Sequence, residues 1–91
     1  MVPDAVEFQP TPNPNAGKFV VGRPVTPVGT SRSYYTPAEA AADPIARAIM
    51  ELDGVRSVFM VNDFVTVTKV PTVAWDELAP AVSAVLDGVK G

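Results

Sequence analysis

The chain contains no cysteine and no histidine, and only three leucines stand against sixteen valines. Without Cys or His there is no thiolate nucleophile, no imidazole base, and none of the side chains that usually hold zinc, copper or an iron–sulfur cluster. No disulfide can report on a compartment. No apolar run approaches the ~20 residues needed to span a bilayer, so no membrane partner is expected. The N-terminus lacks the basic-then-apolar pattern of a secretory signal, and the expected location is cytoplasmic. Carboxylates are what remains for chemistry, and the ten of them nowhere show the Asp/Asn spacing of a calcium loop. Each reads as a solvated surface charge, with no metal site expected.

What the chain does have is 91 residues, 47% of them apolar, which suits a single domain over residues 1–91 with a modest core. Net charge is −3 and unevenly placed, since residues 1–36 sum to +1 and residues 37–91 to −4. From Gly17 to Thr36 the only charges are Lys18, Arg23 and Arg32. That segment is either a solvated loop or a weak attractor of carboxylate or phosphate. An excess of acid leaves too few cations to neutralise several phosphates, so nucleic acid is not an expected partner.

The stretch GVRSVFMVNDFVTVTK, Gly54 to Lys69, organises the rest. Val55 to Val61 and Phe64 to Val70 are rich in β-branched and aromatic residues, and Asn62-Asp63 between them reads as a two-residue hairpin turn. With two residues in the turn, Val61 faces Phe64, Phe59 faces Thr66 and Ser57 faces Thr68, whereas a three- or four-residue loop would shift this register and change the pairings. Val58, Met60, Val65 and Val67 then share the other face, which should be the buried one. Phe59 and Phe64 stand on the wetter face beside Ser57, Thr66 and Thr68.

Before the hairpin, Val6 and Phe8 alternate with Glu7 and Gln9 as in a half-buried strand. Pro10, Pro12 and Pro14 alternate with Thr11, Asn13 and Asn15, which makes a stiff loop. Asn13 and Asn15 serve there as turn caps or as partner contacts. Lys18 to Val21 reads as a short strand with Phe19 and Val21 on one face, and residues 22–31 as an irregular excursion with a short extended piece at Val25 to Val28. Ser31 to Tyr35 returns to the sheet with its two tyrosines pointing to opposite sides.

Thr36-Pro37-Ala38-Glu39 has the pattern of a capping box followed by a short turn of helix. Asp43-Pro44 starts a second helix, in which Ile45, Ile49 and Leu52 repeat at helical spacing until Gly54, about ten residues in all. Trp75, Leu78, Val82, Val85, Leu86 and Val89 form the stripe of a last helix over residues 74–88. Pro80 inside it predicts a kink or an irregular first turn. Trp75 reads as a core anchor. The fold class expected is α+β: two layers, one mostly antiparallel sheet of four to five strands with two main helices packed on one face.

Three segments resemble the N-terminal domain of the NifU-related, Nfu-type iron–sulfur scaffold proteins. They are TPNPNAGKFVVG (Thr11 to Gly22), DPIARAIMELDGVRSVFMVNDFVTVTK (Asp43 to Lys69) and WDELAP (Trp75 to Pro80), and the likeness runs from about Phe8 to Leu86. The resemblance implies a small α+β domain concerned with iron–sulfur cluster assembly or delivery, and family members carry an iron-binding label. In larger members a second domain holds the cluster through Cys-x-x-Cys. This chain has no such motif, so no cofactor is expected to be bound directly.

The function expected is therefore a non-catalytic protein-binding module, with cysteine-bearing iron–sulfur scaffold or apo-target proteins as partners. Without His or Cys, and without a patterned carboxylate pair, no enzyme and no catalytic residue is expected. Candidate partner contacts are Asn13, Asn15, Lys18, Phe59, Asp63, Phe64, Thr66, Thr68 and Lys69. The alternative is a module that recognises phosphorylated or carboxylate-bearing peptides through Lys18, Arg23 and Arg32.

Overall fold

Five antiparallel strands form one sheet in the order β1-β2-β5-β4-β3, with β1 at Glu7–Pro10, β2 at Ala16–Val20, β3 at Ser31–Tyr34, β4 at Val55–Val61 and β5 at Phe64–Lys69. Three helices lie among the described residues of the computed structural model: α1 at Pro37–Ala40, α2 at Pro44–Met50 and α3 at Trp75–Lys90. It describes residues 6–22, 25–26 and 29–90. The piece expected over Val25 to Val28 falls partly outside these, as do Arg23 and the side chain of Val89. Among the described residues no helix is long and apolar enough to cross a membrane.

The hairpin sits in the middle of the sheet with the register of the two-residue turn, not that of a longer loop: Val61 opposite Phe64, Phe59 opposite Thr66 and Ser57 opposite Thr68. Asn62 takes a φ of 53° to close the turn. A slip in the ladder between Val55 and Ser57 leaves Arg56 as an extra, exposed residue. The turn is clasped by the excursion that precedes β3. Val21 N–H donates to the Asp63 carbonyl at 2.8 Å, Val25 N–H to the Asn62 carbonyl at 2.7 Å, and Asn62 N–H to the buried Thr26 Oγ at 3.0 Å.

One face of the sheet is dry. Phe19, Val58, Met60, Val65 and Val67 are fully or almost fully buried there beneath Ala46 and Ile49 of α2 and Leu78, Val82 and Leu86 of α3. Each such Val, Leu, Ile or Phe contributes roughly 1.5–3 kcal/mol. Tyr34 is half-buried and pairs with Val58 of the dry face, and Tyr35, one residue past the end of β3, is exposed.

Both short-helix starts are capped as read. Thr36 and Glu39 exchange the two bonds of a capping box, and Asp43 Oδ1 accepts from the N–H groups of Ile45 and Ala46. The second helix is shorter than the ten residues expected. It stops at Met50, and Leu52 N–H closes a tighter turn onto the Ile49 carbonyl at 3.0 Å. That turn keeps Leu52 against the core, which is why apolar spacing alone extends the helix too far. Gly54 follows at φ 94°, and a Cβ there would come within 2.6 Å of Val73.

The last helix begins at Trp75 and runs through Pro80. The missing bond is the one Pro80 would make to the carbonyl of Asp76, and both residues are exposed, so water reaches that carbonyl. In the first turn the Ala74 carbonyl accepts from Glu77 and Leu78 together, both at 3.1 Å. Trp75 is a packing anchor: its ring lies 5.2 Å from that of Phe8 and 6.0 Å from that of Phe19.

Candidate functional site

Because the helices among the described residues lie on one side, no described helix covers the other face of the sheet. The registers set two rows across it. One runs Glu7, Val20, Phe64, Val61, Ser31, and the next Gln9, Lys18, Thr66, Phe59, Ser33. Each row is polar at its ends and apolar or β-branched in its middle. Phe59 is 38% exposed, one of two large hydrophobic side chains exposed among the described residues. Phe64 is half-buried, and the Lys18 ammonium lies 4.3 Å from its ring centre. Such a contact is worth about 0.5–1 kcal/mol at an exposed site and fixes the ring against the sheet. Thr66 lies between Lys18 and Phe59, and Thr68 follows it towards Ser57.

Of the nine residues singled out in the sequence, Lys18, Phe59, Phe64, Thr66 and Thr68 are thus brought together on one surface. Asp63 is exposed in the hairpin turn at its rim. The remaining three gather elsewhere. Asn13 Oδ1 accepts from Asn15 N–H at 2.9 Å, the turn-capping role. Lys69 continues the parity of Val65 and Val67 onto the helix-covered face, where it is 6% exposed. Its Nζ donates to Asn15 Oδ1 at 3.3 Å and lies 5.6 Å from the Trp75 ring centre. The parity of the strand was the signal that places Lys69 inside.

The cations of the alternative reading do not converge. Lys18 is on the open face, whereas Arg32 is on the opposite one and pairs with Asp43 Oδ2 at 3.9 Å. Tyr34 also donates to that oxygen, at 3.1 Å. Arg23 lies outside the described residues.

The family model described as "Scaffold protein Nfu/NifU N terminal" matches residues 6–90. The chain belongs to the Nfu/NifU N-terminal family. It is 43% identical over 81 residues to NifU-like protein 5, mitochondrial, of Arabidopsis thaliana, covering 89% of this chain and 29% of that one. It is 42% identical over 82 residues to the human mitochondrial NFU1 iron-sulfur cluster scaffold homolog, covering 89% of this chain and 32% of that one. This Nfu/NifU domain therefore spans about a third of the length of these curated relatives or less. Both of those are mitochondrial proteins, where the N-terminus of this chain led to a cytoplasmic expectation. The solution structure of a NifU-like protein from Saccharomyces cerevisiae superposes with a TM-score of 0.79 at 26% identity, covering 94% of this chain and 79% of that one. The Nfu/NifU fold is thus an iron–sulfur scaffold-related α+β domain.

An iron–sulfur cluster is held by thiolates, with imidazole as an occasional replacement. This Nfu/NifU chain contains neither, and among its described residues no group of three or more carboxylates converges as a metal site would require. Its donor set does not fit the cluster.

Proposed function

We propose that the domain is a non-catalytic docking module of iron–sulfur cluster assembly or delivery, binding cysteine-bearing scaffold or apo-target proteins through the open face of its sheet. The observation that carries this reading is Phe59, exposed at the centre of the face that no helix covers, with Phe64 as its diagonal neighbour on the adjacent strand. Aromatic residues are enriched at protein interfaces, and a few such anchors dominate binding energy. Lys18, Thr66 and Thr68 add directional polar contacts around them, with Asp63 at the rim. Asn13, Asn15 and Lys69 act in this reading through the fold, by holding the proline loop to the end of β5.

The cluster itself is cargo of the partners: with no thiolate of its own, the module binds no cofactor directly and contributes recognition alone. Phosphopeptide recognition, the second class, is the poorer fit because Lys18 and Arg32 occupy opposite faces. The test is affinity capture from the native organism's lysate with wild type and with Phe59→Ala/Phe64→Ala, both confirmed folded, and identification of what is retained. Iron–sulfur assembly proteins or their apo-clients retained by wild type alone support the proposal. Retention that is indifferent to the aromatics and lost in moderate salt contradicts it.

A further inference from the structure

A recess lies on the helical side, away from the open sheet face. It is a cleft of about 240 Å³ between the turn after α2 and the start of α3, lined by Leu52, Asp53, Val73, Glu77, Leu78 and Ala81. Its volume is below the roughly 300–1,000 Å³ of sites for small organic ligands, and suits one side chain. The floor is apolar: Leu78 is buried, and Leu52 and Val73 are half-buried against the core. The two carboxylates, Asp53 and Glu77, are exposed, and among the described residues neither makes a hydrogen bond or ion pair through its side chain.

An apolar plug would strip water from two charges without pairing them, and an anion would be repelled. A long cationic side chain fits both requirements, because its methylene stem covers apolar surface while its head stays with the charges. A planar guanidinium can also engage two carboxylates with separate N–H groups, which an ammonium does less well. The local field agrees. Glu77 lies in the first turn of α3, whose partial positive charge of about half a unit opposes a cation but is outweighed by the two carboxylates on the cleft, Asp53 and Glu77. We propose that this cleft receives an arginine side chain from a partner protein, its stem on Leu52, Val73 and Leu78 and its guanidinium between Asp53 and Glu77.

The test is an NMR titration of the 15N-labelled chain with the blocked peptide acetyl-Gly-Arg-Gly-amide, its citrulline and lysine analogues, and the variants Asp53→Asn and Glu77→Gln. Both substitutions are isosteric and at exposed positions, so the spectra of folded variants should otherwise superpose. Saturable shifts centred on Leu52–Gly54, Val73 and Glu77–Ala81 are expected with arginine. Binding should weaken by about tenfold with citrulline or with either carboxamide, and less with lysine. Failure to saturate, equal binding of citrulline, equal binding of lysine, or a shift map on the open sheet face would each overturn the assignment.

Discussion

The indole Nε1 of Trp75 donates to the carbonyl of Pro14 at 3.0 Å, tying the first residue of α3 to the proline loop 61 positions earlier. The same ring packs on Phe8 and Phe19. Trp75→Phe keeps an aromatic ring but removes the donor and part of the packed volume. We expect it to lower stability by about 1–3 kcal/mol. Urea unfolding followed by circular dichroism reads this directly, and an unchanged midpoint contradicts it.

Gly17 is where the loop enters the sheet, and the space a side chain would need there is already filled. A Cβ would meet Phe8 Cε1 at 2.5 Å and Trp75 Cζ2 at 3.0 Å. Gly17→Ala should therefore destabilise by about 1–3 kcal/mol through overpacking, in spite of alanine's lower backbone entropy. Thermal unfolding of this variant beside Gly88→Ala, where the added Cβ meets nothing within 4 Å, separates crowding from glycine loss in general.

The hairpin turn offers a test of backbone strain. Asn62 is the residue of positive φ in a two-residue turn, and a β-branched side chain tolerates that conformation poorly. Asn62→Val should lose about 1–2 kcal/mol relative to Asn62→Gly, the residue that such a turn favours at its first position. Equal chemical denaturation midpoints would mean that the clasp from Val21, Val25 and Thr26 sets the turn irrespective of its own residue.

Lys69 and Phe59 should part company when stability and binding are measured together. Lys69→Met keeps the stem but removes the donor to Asn15, which should cost about 1 kcal/mol of stability and leave partner affinity unchanged. Phe59→Ala removes a ring that is 38% exposed, so it should cost about 1–2 kcal/mol of stability and also lower affinity by about tenfold or more. A Lys69→Met variant that loses affinity at unchanged stability would return Lys69 to the interface.

Much of this was legible in the chain because it is local. The two-residue turn and the alternation around it fixed which residues of β4 and β5 face each other, and with them the positions of Phe59 and Phe64. The Thr36 and Asp43 caps are short-range bonds whose residue types announce them. The end of α2 was harder to read, because a tight turn at Leu52 preserves the apolar spacing of a helix while ending it. Nothing local signals the bond from Asn62 to Thr26, nor the placing of Asp53 and Glu77 on one cleft, since each depends on how separate elements pack. Lys69 shows a signal overlooked: its parity with Val65 and Val67 placed it inside, although its charge suggested a surface.

The central claim is that the open sheet face is the docking surface, and the most direct measurement maps that surface. The 15N-labelled domain would be titrated with a purified cysteine-bearing iron–sulfur scaffold protein of the same organism, and the shifts compared with those for Phe59→Ala/Phe64→Ala. The account predicts perturbations centred on Lys18, Phe59, Val61, Phe64 and Thr66, and their loss in the folded double variant. Perturbations confined to α2 and α3, or binding untouched by the double substitution, would contradict it.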